Sequence, residues 1–158
     1  MKFESLGAEE KKMIKHVEKN NIFVLETKSF HYVLGIDGAG FNRHIHWGEK
    51  CDVDDYEFEE VHRISSNDPV LNEIKQEITP FGSTMYRECD IKAKFADGCR
   101  EIFLVYKGFE QNGDTLKLHF EDEYYPLGVT LCYEVFEEYD IIKRYVTLTN
   151  TGSDDIVF

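Results

Sequence analysis

Basic residues are scarce in this chain: 18 Lys and Arg stand against 31 Asp and Glu, a formal charge of −13 over 158 residues. A surface so poor in cations cannot release many counterions from a phosphate backbone, nor hold an anionic bilayer face. Nucleic acid and membrane are therefore not expected partners. No apolar run approaches the ~20 residues of a bilayer-spanning helix. The four cysteines, Cys51, Cys89, Cys99 and Cys132, form no C-x-x-C pair. The opening Met1-Lys2-Phe3-Glu4-Ser5 lacks the apolar core of an export signal. Reduced thiols and a cytoplasmic location are the expectation. There is no Gly-x-Ser-x-Gly elbow, and the acidic stretch 52–60 lacks the order of a calcium loop. No metal site and no cofactor are expected.

What is abundant is aromatic: 12 Phe and 9 Tyr, against 3 Pro and 1 Trp. That balance favours sheet over a helical bundle. The exception is Ala8–Asn20, where charged helix formers surround a narrow stripe of Met13, Ile14 and Val17; this predicts one N-terminal helix. From Ile22 the pattern becomes short β-type runs over 22–27, 30–36 and 42–47, the second and third separated by the turn Asp37-Gly38-Ala39-Gly40. Residues 49–68 read as an acidic, irregular connection, and Asn67-Asp68-Pro69 could start a short helix over 69–77.

Further strands are predicted over 90–95, 101–107, 115–121, 128–136 and 141–149. In them Ile91, Ala93 and Phe95 share one face, as do Leu116, Leu118 and Phe120, and Val129, Leu131, Tyr133 and Val135. The run 101–107 is apolar on both faces, which predicts a central strand. Ile156-Val157-Phe158 begins a strand with no evident partner, the mark of an open edge and of a chain that continues beyond it. The fold class that follows is mainly β, an antiparallel sandwich with one N-terminal helix: a helical extension over 1–21 and a sandwich over 22–158.

Candidate chemistry is sparse. His44 and His46 lie two apart in a strand and should share a face. With no third ligand nearby they read as half-exposed sheet histidines rather than a metal pair. Paired catalytic carboxylates cannot be picked out among 31 acidic residues.

An ordered series of motifs carries more. The stretch 118–158, with Leu127, Val129, Leu131, Tyr133, Val135-Phe136, Asp140-Ile141-Ile142, Arg144, Leu148-Thr149-Asn150 and Gly152, resembles the N-terminal domain of glycoside hydrolase family 36 α-galactosidases. Residues 95–110, anchored on Tyr106-Lys107-Gly108, and 23–50, ending on the Trp47-Gly48 step, are similar to earlier parts of the same domain. The resemblance implies a supersandwich-like β domain that precedes a (β/α)₈ barrel bearing two catalytic Asp residues, in enzymes that remove terminal α-galactose with retention. Tyr139-Asp140 does not match the family's nucleophile motif, so no catalytic residue is expected in this chain.

The resemblance also implies a homo-oligomer and α-galactoside oligosaccharides as substrates of the parent protein. It implies a loop that reaches an active site, here Phe81-Gly82-Ser83-Thr84-Met85-Tyr86-Arg87. Tyr86 and Arg87 match the family pattern, whereas Met85 stands where the family carries an acid; a thioether cannot replace a carboxylate towards sugar hydroxyls. Tyr86, Arg87 and Trp47 are the candidate substrate contacts. The competing reading is a free-standing carbohydrate-binding or protein-interaction sandwich, for which Trp47, Tyr124 and Tyr125 could supply an aromatic platform.

Overall fold

The computed structural model describes residues 12–59, 74–82 and 88–158. Among the described residues, eight strands form two antiparallel four-stranded sheets. The first runs in order β1 (Ile14–Val17), β2 (Ile22–Glu26), β3 (Phe30–Ile36) and β4 (Asn42–Glu49). The second runs β5 (Leu104–Asn112), β6 (Thr115–Asp122), β7 (Leu127–Phe136) and β8 (Ile141–Asn150). One shared core lies between them, from Phe23, Leu25 and Leu34 on one side to Leu118, Phe120, Leu131 and Tyr133 on the other. The alternation read for β6 and β7 is the one that packs: all the residues assigned to their apolar faces are buried. Ile91, Ala93 and Phe95 are buried in the same core while their neighbours are exposed.

The first sheet is covered on both faces. Ile22, Val24 and Val33 form a second cluster with Tyr56, against which Val53 and Phe58 of the acidic connection pack. This explains the unbroken apolar run of β2, where alternation would have left half the residues wet.

The strand expected over 90–95 is reduced to isolated bridges at Ile91 and Lys94, where the chain pairs with Pro80 and Val157. Four further expectations about the elements fail, each for a physical reason. The described part of the N-terminal segment is not helical: Ile14–Val17 pairs with β2, and Glu18–Asn20 forms a single 3₁₀ turn. A helix with so narrow a stripe buries little, whereas strand pairing sinks Ile14 completely into the core. Asn21 closes the hairpin at φ 52°, a left-handed conformation that Asn adopts at low cost. The short helix over 69–77 is absent from its described part, 74–77, where Gln76 instead bridges to Arg43 of β4; the remainder lies outside the described residues. The strand predicted as central is an edge among the described residues: β5 starts at Leu104 and pairs there with β6 alone. Its second apolar face is wet at one residue and half-buried at the other: Phe103 is 47% exposed and Val105 half-buried.

The fourth concerns Val157. It exchanges two backbone hydrogen bonds with Lys94, at 2.8 and 3.1 Å, so this segment has a partner. Among the described residues no helix is long and apolar enough to cross a membrane.

The two lateral openings of the sandwich are closed differently. At the β1/β5 side, Phe109 packs on Phe23 and Gln111 Nε2 donates to the Ile14 carbonyl at 2.8 Å. At the β4/β8 side, segment 74–82 crosses between the sheets. It is held to β4 by His44 N–H donating to Lys75 O at 2.7 Å and by Asn42 Oδ1 accepting from Ile78 N–H at 2.9 Å. That crossing carries Glu77.

Candidate cleft at the open side of the sandwich

A β-bulge builds the site. Val33 pairs with His46 but the next residue, Leu34, pairs with His44, so Ile45 is an extra residue in β4. An extra residue reverses the alternation of all that follows. Ile45 therefore packs with the outer cluster and His46 lies against Tyr56, while His44 and Trp47 both meet Tyr32 on the inner face. The two histidines expected on one face are thus on opposite faces. Trp47, which simple alternation would put with Tyr56, is delivered to the cleft. A second bulge, at Tyr106/Gly108 in β5, reverses parity in the same manner and turns Phe109 and Gln111 inward. Gly108 sits there at φ 148°, which side-chain-bearing residues avoid.

At the floor of the cleft the Glu77 side chain is 1% exposed and surrounded by donors from four strands. Tyr32 of β3 lies 2.9 Å from both carboxylate oxygens, and His44 Nδ1 of β4 is 2.8 Å from Oε1. Tyr133 of β7 donates to Oε2 at 2.6 Å, and Arg144 Nε of β8 stands 3.6 Å from the same oxygen. Burial alone would raise the pKa of Glu77. The hydrogen bonds from His44 and Tyr133, the charge of Arg144 and the hydrogen bond from Tyr32 outweigh it, and the net shift is downward. The same burial, with the Glu77 charge beside them, pushes the Tyr32 and Tyr133 phenols up, so both stay protonated donors. An ionised carboxylate so fully engaged is no proton donor at neutral pH. It is a clasp joining the two sheets.

Above this floor lie two adjoining hollows of about 430 and 310 Å³ that share Tyr32, Trp47 and Arg144. Lys75, Gln76 and Thr79 edge the first; Phe30, Asp140 and Ile142 edge the second. Trp47 is 71% exposed, with Phe30 and Tyr32 behind it at ring separations of 6.4 and 6.3 Å.

Of the three candidate contacts, Trp47 is in this cleft, whereas Tyr86 and Arg87 lie outside the described residues. The base of their loop is pinned: Phe81 donates its N–H to Ile91 O and accepts from Ile102 N–H, both at 2.9 Å. Tyr124 is 75% exposed in the β6–β7 connection of the other sheet, and Tyr125 is occupied, stacked on Phe95 with its hydroxyl on Asp97. The three aromatics do not make one platform.

Reading the sequence missed Glu77, which resembles any other of the 31 acidic residues and ends the stretch expected to be a short helix. Two signals pointed to it. Arg144 has the core-facing parity of Ile142 and Leu148, and Tyr133 lies on an otherwise aliphatic face; a cation turned towards the core and a buried hydroxyl both call for a partner. Among the described residues no three His, Cys, Asp or Glu side chains are grouped to hold a metal.

Comparison with known proteins adds a family. The profile of the glycosyl hydrolase family 36 N-terminal domain matches residues 40–157. The bifunctional α-galactosidase/sucrose kinase AgaSK of Mediterraneibacter gnavus is 29% identical over 163 residues, which cover 85% of this chain and 17% of that protein. α-Galactosidase AgaA of Geobacillus stearothermophilus is 26% identical over 164 residues, covering 82% and 22%. The solved galactosidase domain of AgaSK superposes with a TM-score of 0.79 at 27% identity, covering 90% of this chain and 24% of that one. The α-galactosidase AgaB of Geobacillus stearothermophilus gives 0.80 at 21% identity, covering 90% and 23%, a likeness of fold. The chain spans about a fifth of the length of the curated relatives it matches, 17% and 22%.

Proposed function

Because this chain belongs to the glycosyl hydrolase family 36 N-terminal domain family, we propose that it serves as the accessory, non-catalytic sandwich of a retaining α-galactosidase. In this reading the hydrolytic carboxylates reside on a barrel elsewhere in the parent protein, held about 5–5.5 Å apart as retention requires. The sandwich contributes to assembly of a homo-oligomer and extends the loop bearing Tyr86 and Arg87 towards a galactoside. The observation that carries the reading is the family match over residues 40–157. The engaged state of Glu77 supports a structural part for this buried carboxylate.

The test has two arms. The reading frame beyond codon 158 should encode a barrel with two suitably placed Asp residues, and the purified 158-residue chain should leave an aryl α-galactoside intact. Turnover that persists through a second independent preparation would overturn the non-catalytic assignment. A stop codon with no barrel partner encoded alongside would favour the free-standing sugar-binding sandwich, for which the exposure of Trp47 is the supporting observation.

A further inference from the structure

The cleft beside Trp47 has features that select a ligand class. Its volume, about 430 and 310 Å³ in two connected parts, lies in the range of small-molecule sites. One wall is the exposed indole of Trp47, backed by Phe30 and Tyr32. The facing wall is β8, with the aliphatic side chains of Ile141 and Ile142 beside the Arg144 guanidinium. A guest must therefore present a flat apolar face to the indole and hydrogen-bonding groups at its rim.

Charge decides what kind of guest. Lys75 and Arg144 are cationic, Glu77 and Asp140 anionic, and these four cancel. Each also has its own partner: Lys75 pairs with Glu59 at 2.9 Å, Arg144 with Glu77 at 3.6 Å, and Asp140 takes two hydrogen bonds from Ser29 at 2.7 Å. Among the described residues lining the cleft, an anionic ligand would meet only cations already paired, and the −13 charge of the chain opposes its approach. A cation would have to displace Arg144 or Lys75. A neutral ring with an apolar face and a rim of hydroxyls meets both demands, because hydroxyls donate and accept alike and can share partners with groups already paired.

We propose that this cleft binds one neutral pyranose unit of an oligosaccharide, with its apolar face stacked on Trp47 and its hydroxyls turned towards Arg144, Lys75 and Gln76. The proposal rests on the sugar-contact part of the reading above and gives it a place. Its failure leaves family membership and the non-catalytic assignment standing, since binding and turnover are measured separately.

Trp47 is the single tryptophan of the chain, so its emission reports on the cleft alone. The 158-residue chain is titrated with methyl α-galactopyranoside, with raffinose and with galacturonate, and calorimetry is run in parallel. Expected are a saturable shift of indole emission with the two neutral sugars, weaker binding of galacturonate, and an affinity loss of about tenfold or more by calorimetry in Trp47→Ala, as for loss of a central aromatic anchor. Lys75→Met, which leaves the clasp intact, should weaken binding by a smaller factor. Unchanged emission up to the solubility limit of the neutral sugars overturns the proposal. So does calorimetric binding that survives Trp47→Ala, or a preference for galacturonate.

Discussion

The Asp140 carboxylate accepts both the backbone N–H and the hydroxyl of Ser29, each at 2.7 Å, across 111 residues of sequence. Asp140 belongs to the β7–β8 turn of the second sheet and Ser29 to the β2–β3 turn of the first, so the contact joins the sheets at the rim of the Trp47 cleft. Asp140 adopts φ 52° to end a 3₁₀ turn over Glu137–Tyr139, as Asn21 does after Glu18–Asn20. The two hydrogen bonds from Ser29 hold the carboxyl below its ordinary pKa. The rim contact and the Glu77 clasp below it are two layers of one closure.

Replacing Asp140 by Ala or Ser29 by Ala should each lower the urea midpoint. Ser29→Ala keeps the backbone N–H donation and removes only the hydroxyl's, so the double variant should lose little more than Asp140→Ala alone. Strictly additive losses in this double-mutant cycle would show that the hydroxyl–carboxylate bond contributes nothing to stability.

Glu77→Ala should cost about 3 kcal/mol, the low end for breaking a buried pair, because Arg144 retains access to water. Tyr133→Phe, which removes one donor to the same oxygen, should cost ~1–3 kcal/mol. Chemical denaturation at neutral pH measures both. A Glu77→Ala chain as stable as the parent would mean that the clasp merely occupies space.

Stability should fall on acidification. Glu26 is held at about 2, below its ordinary 4.5: burial opposes ionisation, but Lys50 at 2.9 Å and Lys15 at 3.1 Å prevail. Glu77 is lowered as well. Carboxyls depressed in the folded state stabilise it above the unfolded pKa, and this stabilisation disappears as pH falls through the folded value. The Glu26 share should therefore vanish between about pH 4.5 and 2. Denaturation midpoints across that window should decline less steeply for Glu26→Gln than for the parent chain; parallel curves would refute the assignment.

Gly108→Ala should destabilise by more than ~1 kcal/mol through the backbone alone, since a Cβ there meets no atom within 4 Å while φ is 148°. Thermal melts of this variant beside Gly98→Ala, also at positive φ in open space but in a turn with no strand ladder to distort, would separate backbone strain from damage to the bulge.

The strands of the second sheet were legible because their periodicity, turn residues and burial agree, as along Val129, Leu131, Tyr133 and Val135. The N-terminal hairpin was not. Lys11, Lys12, Lys15 and Glu18 favour a helix locally, and only the distant core that receives Ile14 decides otherwise. The status of β5 was hidden for a related reason: Phe103 and Val105 give it a second apolar face that the fold leaves at an edge, with Phe103 47% exposed. The clasp could be inferred in kind, from Arg144 and Tyr133, but not in identity, because nothing local distinguishes Glu77 from other acids until segment 74–82 is laid against β4.

The extra residue in β4 has a consequence for how such a cleft changes over time. Trp47 stays beside Tyr32 because Ile45 is bulged out between His44 and His46. Loss of Ile45 would let His44, His46 and Trp47 follow one another in plain alternation, inner, outer and inner, with their partners Leu34, Val33 and Tyr32 unchanged. The indole would keep its cleft, and only the outer cluster would lose a side chain. Straightening the bulge with every residue kept would instead send Trp47 to the Tyr56 face. Lineages can therefore shed this residue and keep the hollow, but they cannot flatten the strand around it.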